Sequence, residues 1–402
     1  MNTIRSIRRF SRNSFSAISS LGLLAAALLA ACSDAGDTTS VDPTSSETPA
    51  PEPALDAAAI ADLEARADRL IAAGVPGVSV AVIAGDQSVL IARGVADRAT
   101  GEPMTPDHRF RVASMAKSVV ASTILQLSAE GELALSDTVE DWLPGMLPEN
   151  SDATLENLLR LESGIFSYDE DERHMAPYYA GDFEHRWTPE SLVGLAAEHP
   201  ALFRPGERFY YSNTNYVLLG LIIQKITGRE LADVVHERVL DPVGMSASDM
   251  PLGSELEAPF ARGYMLGVGD EPLDVTGISA SSVFGNGNLV GTALDMATLY
   301  GALVRGDVVS EAQLPDMFRH DPNVPDTHYG MGVWRFDGDF QPCGSFVGHD
   351  GGAPGYDVTA FSSLDGSRQY AVLANNLAPG DKVGDEAAQQ AWKELVFAAA
   401  CN

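Results

Sequence analysis

A serine and a lysine three residues apart, Ser114 and Lys117, stand where a polar approach passes into an apolar stretch. Residues at this spacing share one face of a helix, so the hydroxyl and the amine are expected within hydrogen-bonding reach. The apolar residues Val119, Ile124 and Leu125 indicate that the helix is buried. Burial and the positive end of a helix dipole favour a neutral lysine, which could take the serine proton and activate acyl transfer. The alternative is an N-capping serine followed by a lysine that reaches solvent.

Tyr211 and Asn213 form a second candidate pair, in a polar turn just before an apolar helical stretch. A phenol can relay a proton, and an amide can hold both the lysine and a substrate carbonyl. The alternative is an aromatic-rich loop packed on the core, with Asn213 capping the next helix.

His349 ends a predicted strand and is followed by a glycine-rich run that includes Gly351 and Gly352. Glycines let backbone amides approach a ligand closely, and such amides could donate to an oxyanion. The alternative is a glycine-rich hairpin that carries a surface histidine.

Composition restricts the class of protein. The chain has 402 residues, an apolar content of 45%, a charged content of 20% and a formal net charge of −30. The composition is that of a globular protein, and the length allows one large domain or a few smaller ones. Because so negative a chain would be repelled by phosphates, we exclude nucleic-acid partners.

The N-terminal segment reads as a targeting signal. Residues 1–31 carry arginines, then an apolar run, then small residues, which is the pattern of a secretory signal peptide. The sequence just before Cys32 is similar to the lipobox of bacterial lipoproteins. This resemblance implies that Cys32 is lipidated and that the protein is anchored to a membrane of the cell envelope, in the periplasm or on the cell surface. The alternative is an ordinary signal peptide with an incidental cysteine. Residues 32–58 predict a disordered acidic tether.

Cys343 and Cys401 are the remaining cysteines, and such a pair in an oxidising envelope suggests a disulfide that staples the C-terminal helix to the sheet. Neither cysteine has a histidine or acid arranged beside it as in a zinc or catalytic site, and the eight histidines are scattered. We therefore expect no structural metal and no cofactor.

The secondary-structure pattern predicts an α+β fold for residues 59–402. Helices are predicted at 56–73 and 385–400, a hairpin at 77–95, and short strands at 329–336, 345–348, 356–362 and 368–375. Strands from both ends should form one antiparallel sheet, flanked by the terminal helices, with a mostly helical insert at about 120–280. Ser114 would lie at the boundary between the sheet and the helical insert, where pockets form.

The order and spacing of three motifs resemble the serine hydrolases of the penicillin-recognising fold. The motifs are Ser-x-x-Lys at Ser114, Tyr-x-Asn at Tyr211 and His-x-Gly at His349. The resemblance is to the branch that contains class C β-lactamases and D-alanyl-D-alanine carboxypeptidases, and it covers nearly all of residues 59–402. Further segments that match the family are Leu143-Pro-Gly, Ser163-Gly164, Leu240-Asp-Pro-Val-Gly-Met245 and Tyr329-Gly-Met-Gly332.

The resemblance implies a role for each matching position. Ser114 would be the nucleophile, Lys117 its activator and Tyr211 the proton relay. Asn213 would orient the substrate amide and the lysine, and His349 would take the place that a lysine often holds in the third motif. The oxyanion hole would be the backbone amides of Ser114 and Gly352, and the residues expected to contact substrate are Trp334, Arg335, Asp350 and Gly351.

One departure from the family pattern bears on the substrate. Asp350 stands where the family usually has a hydroxyl residue that binds a substrate carboxylate. A fixed anion there would repel a carboxylate by ~1–4 kcal/mol at a partly solvated site. If Arg335 points into the cleft, the carboxylate could still be held. If it points away, the site suits neutral or cationic acyl compounds.

Three hypotheses follow for the function. The first is a D-alanyl-D-alanine carboxypeptidase acting on peptidoglycan stem peptides, with β-lactams as further acylating compounds. The second is an esterase or amidase for neutral acyl groups. The third is an inactive binder or sensor, which the intact Ser114, Lys117, Tyr211 and Asn213 argue against.

Overall fold

The computed structural model describes residues 55–266, 272–321, 324, 327–338, 343–375 and 386–402. The predicted signal peptide, Cys32 and most of the predicted tether lie outside these residues. The strands are β1 (Gly77–Ala84), β2 (Gln87–Asp97), β3 (Glu102–Pro103), β4 (Phe110–Ala113), β5 (Tyr264–Leu266), β6 (Pro272–Asp274), β7 (Leu289–Gly291), β8 (Trp334–Phe336), β9 (Phe346–Ala353), β10 (Tyr356–Ser363) and β11 (Arg368–Ala374). The α-helices are α1 (Ala57–Ala72), α2 (Ala116–Ala129), α3 (Val139–Trp142), α4 (Leu155–Leu159), α5 (Glu172–Tyr179), α6 (Pro189–Ala197), α7 (Thr214–Thr227), α8 (Leu231–Val235), α9 (Ala293–Val304), α10 (Leu314–Phe318) and α11 (Glu386–Cys401).

The main sheet has seven strands in the order β3-β2-β1-β11-β10-β9-β8, and every neighbouring pair is antiparallel. Its centre joins the two ends of the chain, since Val80 of β1 lies opposite Val372 of β11. All of β11 is buried, as expected for a strand with both faces covered. The predicted α+β fold with one principal antiparallel sheet is confirmed.

The terminal helices cover one face of this sheet. Helix α1 packs on α11, and Arg368 of β11 donates from Nε to the carbonyl of Ala399 in α11 at 3.0 Å. Helix α1 begins after Asp56, whose carboxylate accepts from the amide of Ala59 at 2.8 Å. The prediction of a tether through residue 58 is therefore wrong at its end, because Leu55 is already buried in the core and α1 starts at Ala57.

Helix α9 covers the opposite face, and the sequence did not predict it. A Cβ on Gly301 of α9 would lie 2.9 Å from the Gln369 side chain, and Gln369 is the strand neighbour of Arg368. Because successive strand residues point to opposite faces, α9 and α11 enclose the sheet between them. No helix is predicted between the helical insert and the final helix at 385–400. The hydrophobic pattern gives no signal for α9, because this helix is buried nearly all round and so lacks a clear polar stripe.

The insert between the sheet halves is mostly helical, as predicted, and it supplies the core around α2. Helix α7 packs against α2, and both are apolar and buried over most of their length. The insert also contains the small antiparallel pair of β5 and β6. Among the described helices, none has the length and apolar character needed to cross a membrane.

Strand β8 is shorter than the predicted strand over 329–336 and begins at Trp334. The preceding residues form a turn that docks on α2, where the carbonyl of Gly332 accepts from Ser118 Oγ at 2.7 Å. Gly332 has a φ of +77°, and a Cβ there would lie 2.5 Å from the side chain of Ala121. The close approach to α2 explains why this segment leaves the sheet.

Candidate active site

Ser114 lies at the join between β4 and α2, where the chain turns sharply. Ala113 has a φ of +48°, a conformation that L residues rarely adopt and that often accompanies functional sites. The amide of Lys117 then donates to the carbonyl of Ser114 at 3.0 Å, which closes the first turn before α2. The serine side chain is thereby left at a partly exposed corner above a buried helix.

The amine of Lys117 is fully buried and donates to two acceptors. Nζ lies 3.0 Å from Ser114 Oγ and 3.0 Å from the backbone carbonyl oxygen of Asn286. The aromatic rings of Tyr211 and Tyr216 enclose it, with centroids at 4.8 and 5.6 Å. The predicted serine–lysine contact is therefore formed, and its second anchor is a carbonyl that no motif contains.

Burial lowers the pKa of Lys117 from its ordinary 10.5 to about 7, and the nearby carboxylates of Asp169 and Asp350 oppose that shift. A large fraction of the amine is therefore neutral near pH 7. A neutral amine within 3.0 Å of the hydroxyl can act as a general base toward Ser114.

Tyr211 also faces the serine. Burial raises its pKa well above the ordinary value, and the neighbouring Ser114 hydroxyl only partly opposes this. Its ring is nearly parallel to the Trp334 indole, with centroids 6.4 Å apart and 5° between the planes. The phenol is therefore protonated at neutral pH and is placed to donate a proton beside Ser114.

Asn213 does not form the predicted hydrogen bond with Lys117. Its Nδ2 donates to the Asp169 carboxylate at 2.9 Å, and its backbone amide donates to Ser167 Oγ at 2.9 Å. Its Oδ1 is buried without a hydrogen-bond partner among the described residues. The carboxylate of Asp169 fixes the amide nitrogen, which leaves the oxygen as a free acceptor at the site.

Asp169 and Asn286 are site residues that the sequence reasoning missed. Asp169 lies five residues after Gly164, in a part of the chain where no spacing rule marks a functional carboxylate. Asn286 contacts the lysine through its backbone oxygen, so the identity of its side chain carries no signal for that contact. Only the neighbouring Ser163-Gly164 motif pointed to this region.

His349 lies in the third-motif position but brings no positive charge. Its Nε2 lies 3.1 Å from the hydroxyl of Tyr329, and its Nδ1 faces the backbone carbonyl of Asp350. Burial, together with the positive charge of Lys117, lowers its pKa from 6.5 to about 3. The imidazole is neutral at physiological pH, so it does not replace a lysine ammonium electrostatically.

Asp350 adds negative charge to the same site. Its side chain is 22% exposed, and burial raises its pKa to about 6, while its own backbone amide, Trp334 and Lys117 act in the opposite direction. The indole Nε1 of Trp334 faces the carboxylate without reaching hydrogen-bonding geometry. At pH 7 Asp350 is therefore mainly ionised.

Arg335 points away from the site, which corrects the expectation that it contacts substrate. Its Nε donates to the Asp337 carboxylate at 2.9 Å, and its side chain is 32% exposed. Trp334, its neighbour on β8, packs on Tyr211 and His349. Because adjacent strand residues face opposite sides, the arginine cannot share the face that Trp334 presents to the serine.

Gly351 lets β9 lie directly against the serine. A Cβ at this position would be 2.7 Å from the carbonyl oxygen of Val112 and 3.0 Å from the amide nitrogen of Ser114. Gly352 follows it and is exposed. The exposed Gly352 and the Ser114 amide are thus brought to the same edge, where the oxyanion hole is predicted.

Cys343 and Cys401 form a disulfide in the structure, with their Cα atoms 5.1 Å apart. The bond joins the end of α11 to the segment that leads into β9. Among the described residues, no group of three or more histidine, cysteine, aspartate or glutamate side chains is arranged to hold a metal ion.

Comparison with known proteins identifies the family. The chain matches the Beta-lactamase family over residues 57–391. Penicillin-binding protein 4* of Bacillus subtilis is 27% identical over 320 residues, which cover 76% of this chain and 68% of that protein. Esterase EstB of Burkholderia gladioli is 34% identical over 221 residues, or 51% of this chain and 54% of the esterase.

A solved structure gives the same result. The D-stereospecific amidohydrolase from Streptomyces sp. superimposes with a TM-score of 0.74 and 30% identity, covering 85% of this chain and 98% of the amidohydrolase chain. Fold, serine–lysine geometry and sequence similarity agree. The chain is therefore a serine hydrolase of the Beta-lactamase family, related to penicillin-binding proteins, esterases and amidohydrolases of that fold.

Proposed function

We propose that this protein is an amidase or esterase that hydrolyses acyl substrates without a free carboxylate, through an acyl-enzyme on Ser114. The observation that carries the proposal is the charge of the site. Asp350 lies beside the Ser114–Lys117 pair, while Arg335 is turned away and paired with Asp337. A D-alanyl-D-alanine carboxypeptidase must hold the terminal carboxylate of its substrate, and an ionised Asp350 at that position repels a carboxylate.

The same charge favours substrates that carry an amine. Asp169 and Asp350 both act electrostatically on Lys117, so two acidic side chains lie close to the reacting atoms. Opposite charges a few ångströms apart attract by ~1–4 kcal/mol at partly solvated sites. Aminoacyl amides and esters therefore fit better than substrates whose leaving group ends in a carboxylate. The likeness to the Streptomyces amidohydrolase supports this class of substrate.

The geometry supports a complete proton path. As Ser114 Oγ attacks the acyl carbon, its proton passes to the neutral amine of Lys117. The oxyanion accepts hydrogen bonds from the amides of Ser114 and Gly352. Tyr211 gives its phenolic proton to the leaving nitrogen or oxygen and recovers one from Lys117. Water then attacks the acyl carbon, its proton passes to Lys117 through Tyr211, and Ser114 regains a proton as the acid leaves.

The proposal is tested with three matched substrates and the purified protein. These are an aminoacyl p-nitroanilide with a free amine, its N-acetylated form, and a diacylated Lys-D-Ala-D-Ala peptide. We expect turnover of the first two and at least about tenfold lower kcat/KM for the peptide, as the charge argument requires. Ser114→Ala should abolish turnover of all three.

Two aspartate variants identify the source of the discrimination. Asp350→Asn should improve kcat/KM for the carboxylate peptide by about tenfold relative to the neutral amide, because it removes the repulsion. Asp337→Asn removes an equal charge outside the site and should leave the ratio unchanged. Rapid release of D-alanine by the unaltered protein would instead favour the carboxypeptidase hypothesis and contradict the proposal.

A further inference from the structure

The second acceptor for Lys117, the backbone carbonyl of Asn286, belongs to a tight turn just before β7. The amide of Gly287 donates to the Val283 carbonyl at 2.9 Å, and Gly285 has a φ of +71°. The Asn286 side chain turns inward, where its Nδ2 donates to the Tyr168 hydroxyl at 2.9 Å and to the Phe284 carbonyl at 3.0 Å. The residue therefore contacts the lysine through its backbone and Tyr168 through its side chain.

Tyr168 is completely buried and ties this turn to the loop that carries Asp169. Its hydroxyl donates to the carbonyl of Ser282 at 2.8 Å, so it holds the turn at two points. Its own backbone amide donates to Thr214 Oγ1 at 3.0 Å, at the start of α7. The His174 ring packs edge-on against it, and His174 Nε2 contacts the same Ser282 carbonyl at 2.9 Å.

We propose that Tyr168 is a positioning residue for the hydrolysis: its hydroxyl holds the Asn286 carbonyl in place, and that carbonyl directs the Lys117 amine at Ser114. The inference rests on the proposed function, in which Lys117 is the base. It adds a residue that touches neither the substrate nor the lysine. The path from Tyr168 to Ser114 runs through the Asn286 side chain, its backbone oxygen and Lys117 Nζ, with each contact between 2.9 and 3.0 Å.

The carbonyl matters because the other neighbours of the amine do not fix its direction. Tyr211 and Tyr216 present ring faces, and Asp169, Asp350 and His349 act on it only through space. A hydrogen bond to a charged form favours that form. If the Asn286 carbonyl moves away, the buried ammonium loses its fixed acceptor, so its pKa falls and the amine is no longer aimed at Ser114.

The first test is Tyr168→Phe, which keeps the ring and removes the hydroxyl. In the unaltered protein, kcat/KM should rise with pH through about 7 as Lys117 loses its proton. In the variant, we expect kcat to fall by about fivefold to tenfold with KM unchanged, since one hydrogen bond is lost. The acidic limb of the kcat/KM–pH profile, where activity rises as Lys117 loses its proton, should also move to lower pH by about half a unit. That shift is the free-energy equivalent of part of one hydrogen bond.

Tyr356→Phe is the matched control. Tyr356 is equally buried, and its hydroxyl donates to one backbone carbonyl, that of Ala261, at 2.8 Å. Loss of that hydroxyl should lower thermal stability without moving the acidic limb. A folded Tyr168→Phe protein with the same limb and the same kcat as the unaltered protein would overturn the inference.

A double-mutant cycle tests whether the effect passes through the Asn286 side chain. Asn286→Ala keeps the backbone carbonyl but removes the contact with Tyr168, so it should reproduce the shifted limb by itself. This variant also carries the test if Tyr168→Phe fails to fold. In the double variant the two effects on kcat should not add, because both break one link. Full additivity would contradict the proposed path.

A direct titration separates this inference from the proposed function. The chain contains four lysines, so selective ¹³C labelling of lysine gives a simple NMR spectrum in which Lys117→Ala assigns the signal of interest. The Lys117 midpoint should fall in Tyr168→Phe and stay unchanged in Tyr356→Phe, whichever substrates are hydrolysed. A lysine that titrates as expected in a protein without amidase or esterase turnover would contradict the function and leave the positioning role standing.

Discussion

Burial also shifts the protonation of residues that lie away from the Ser114–Lys117 pair. Glu162 is 1% exposed, and its Oε1 has no hydrogen-bond partner among the described residues. Burial first, and then the charge of Asp321, raises its pKa from 4.5 to about 7, while Arg160 opposes the shift. Glu162 follows Leu161, whose carbonyl accepts from the amide of Tyr210 at 2.9 Å, so the carboxyl lies beside the segment that leads to Tyr211.

The stability of the protein should therefore depend on pH, because Glu162 ionises less readily in the folded state than in the unfolded state. Below about pH 4.5 both folded and unfolded states carry the proton, so there is no penalty. As pH rises to about 7, the unfolded state ionises freely while the folded state resists ionisation, and folding loses up to roughly 3 kcal/mol. Glu162→Gln should remove this loss, so its melting temperature should exceed that of the unaltered protein increasingly between pH 4.5 and 7.5.

The exposed Glu132 provides the control for that measurement. Glu132→Gln removes a carboxyl from the surface and should change the melting temperature little. A Glu162→Gln protein whose advantage does not grow with pH would show that the buried carboxyl is satisfied in the folded state.

At the scale of elements, the site depends on β9 lying against the β4–α2 junction. Gly351 permits this contact because two of the three nearest atoms that a Cβ would meet are backbone atoms of Val112 and Ser114, which cannot move aside cheaply. The same strand pairs with β10, where a Cβ on Gly348 would lie 2.2 Å from the Ala360 carbonyl oxygen. Two glycines in one strand thus set its distance to both neighbours.

Gly351→Ala should accordingly separate β9 from Ser114. We expect a loss of about 1–3 kcal/mol in the free energy of unfolding, as for overpacked cores, and a loss of kcat/KM larger than tenfold from the displaced oxyanion donors. Gly194→Ala is the control, because Gly194 lies inside α6 with open space around it. That change should stabilise the protein by about 0.5–1 kcal/mol and leave activity unaltered. Retained activity in Gly351→Ala would contradict the close-approach argument.

At the scale of the whole molecule, the disulfide links α11 to the segment that leads into β9, the strand that carries His349. Cys343 and Cys401 are 58 residues apart, and the loop they close contains β9, β10, β11 and most of α11. Because α11 also packs on α1, the bond connects the two terminal helices and the central sheet.

Removal of this bond should lower stability more than activity. In the chain-entropy description, a closed loop of this length contributes about 4 kcal/mol. The Cys343→Ser, Cys401→Ser double variant should unfold at clearly lower urea concentration than the oxidised protein and match the reduced protein. Turnover at 25 °C should remain close to normal. Equal urea midpoints for the oxidised protein and the double variant would contradict the prediction that the bond forms and stabilises the protein.

Local rules predicted the parts of this molecule that depend on neighbours in sequence. The i, i+3 relation of Ser114 and Lys117, the β1–β2 hairpin and both terminal helices follow from spacing that a single chain displays. The orientation of Arg335 depended on which face of β8 meets the insert, and a strand of three residues carries no pattern to decide it. The Asn286 carbonyl and α9 were missed because one acts through the backbone and the other is buried on nearly all sides.

The envelope location remains a prediction from the sequence. The signal peptide of residues 1–31, the lipidation of Cys32 and the resulting membrane anchor lie outside the described residues. Peptidoglycan peptides and β-lactams likewise remain predicted partners, and the substrate panel above addresses the former directly.

The pairing of β1 with β11 has a consequence for biogenesis. The hairpin of β1 and β2 is made early, yet its partner strand is among the last segments to be synthesised. Val80 and Val372 are 292 positions apart in a chain of 402 residues. Folds dominated by such distant contacts mature slowly, because a long loop must close before the contact is gained. β1 therefore lacks this neighbouring strand through most of translation, so this chain should rely on holding chaperones until β11 is made.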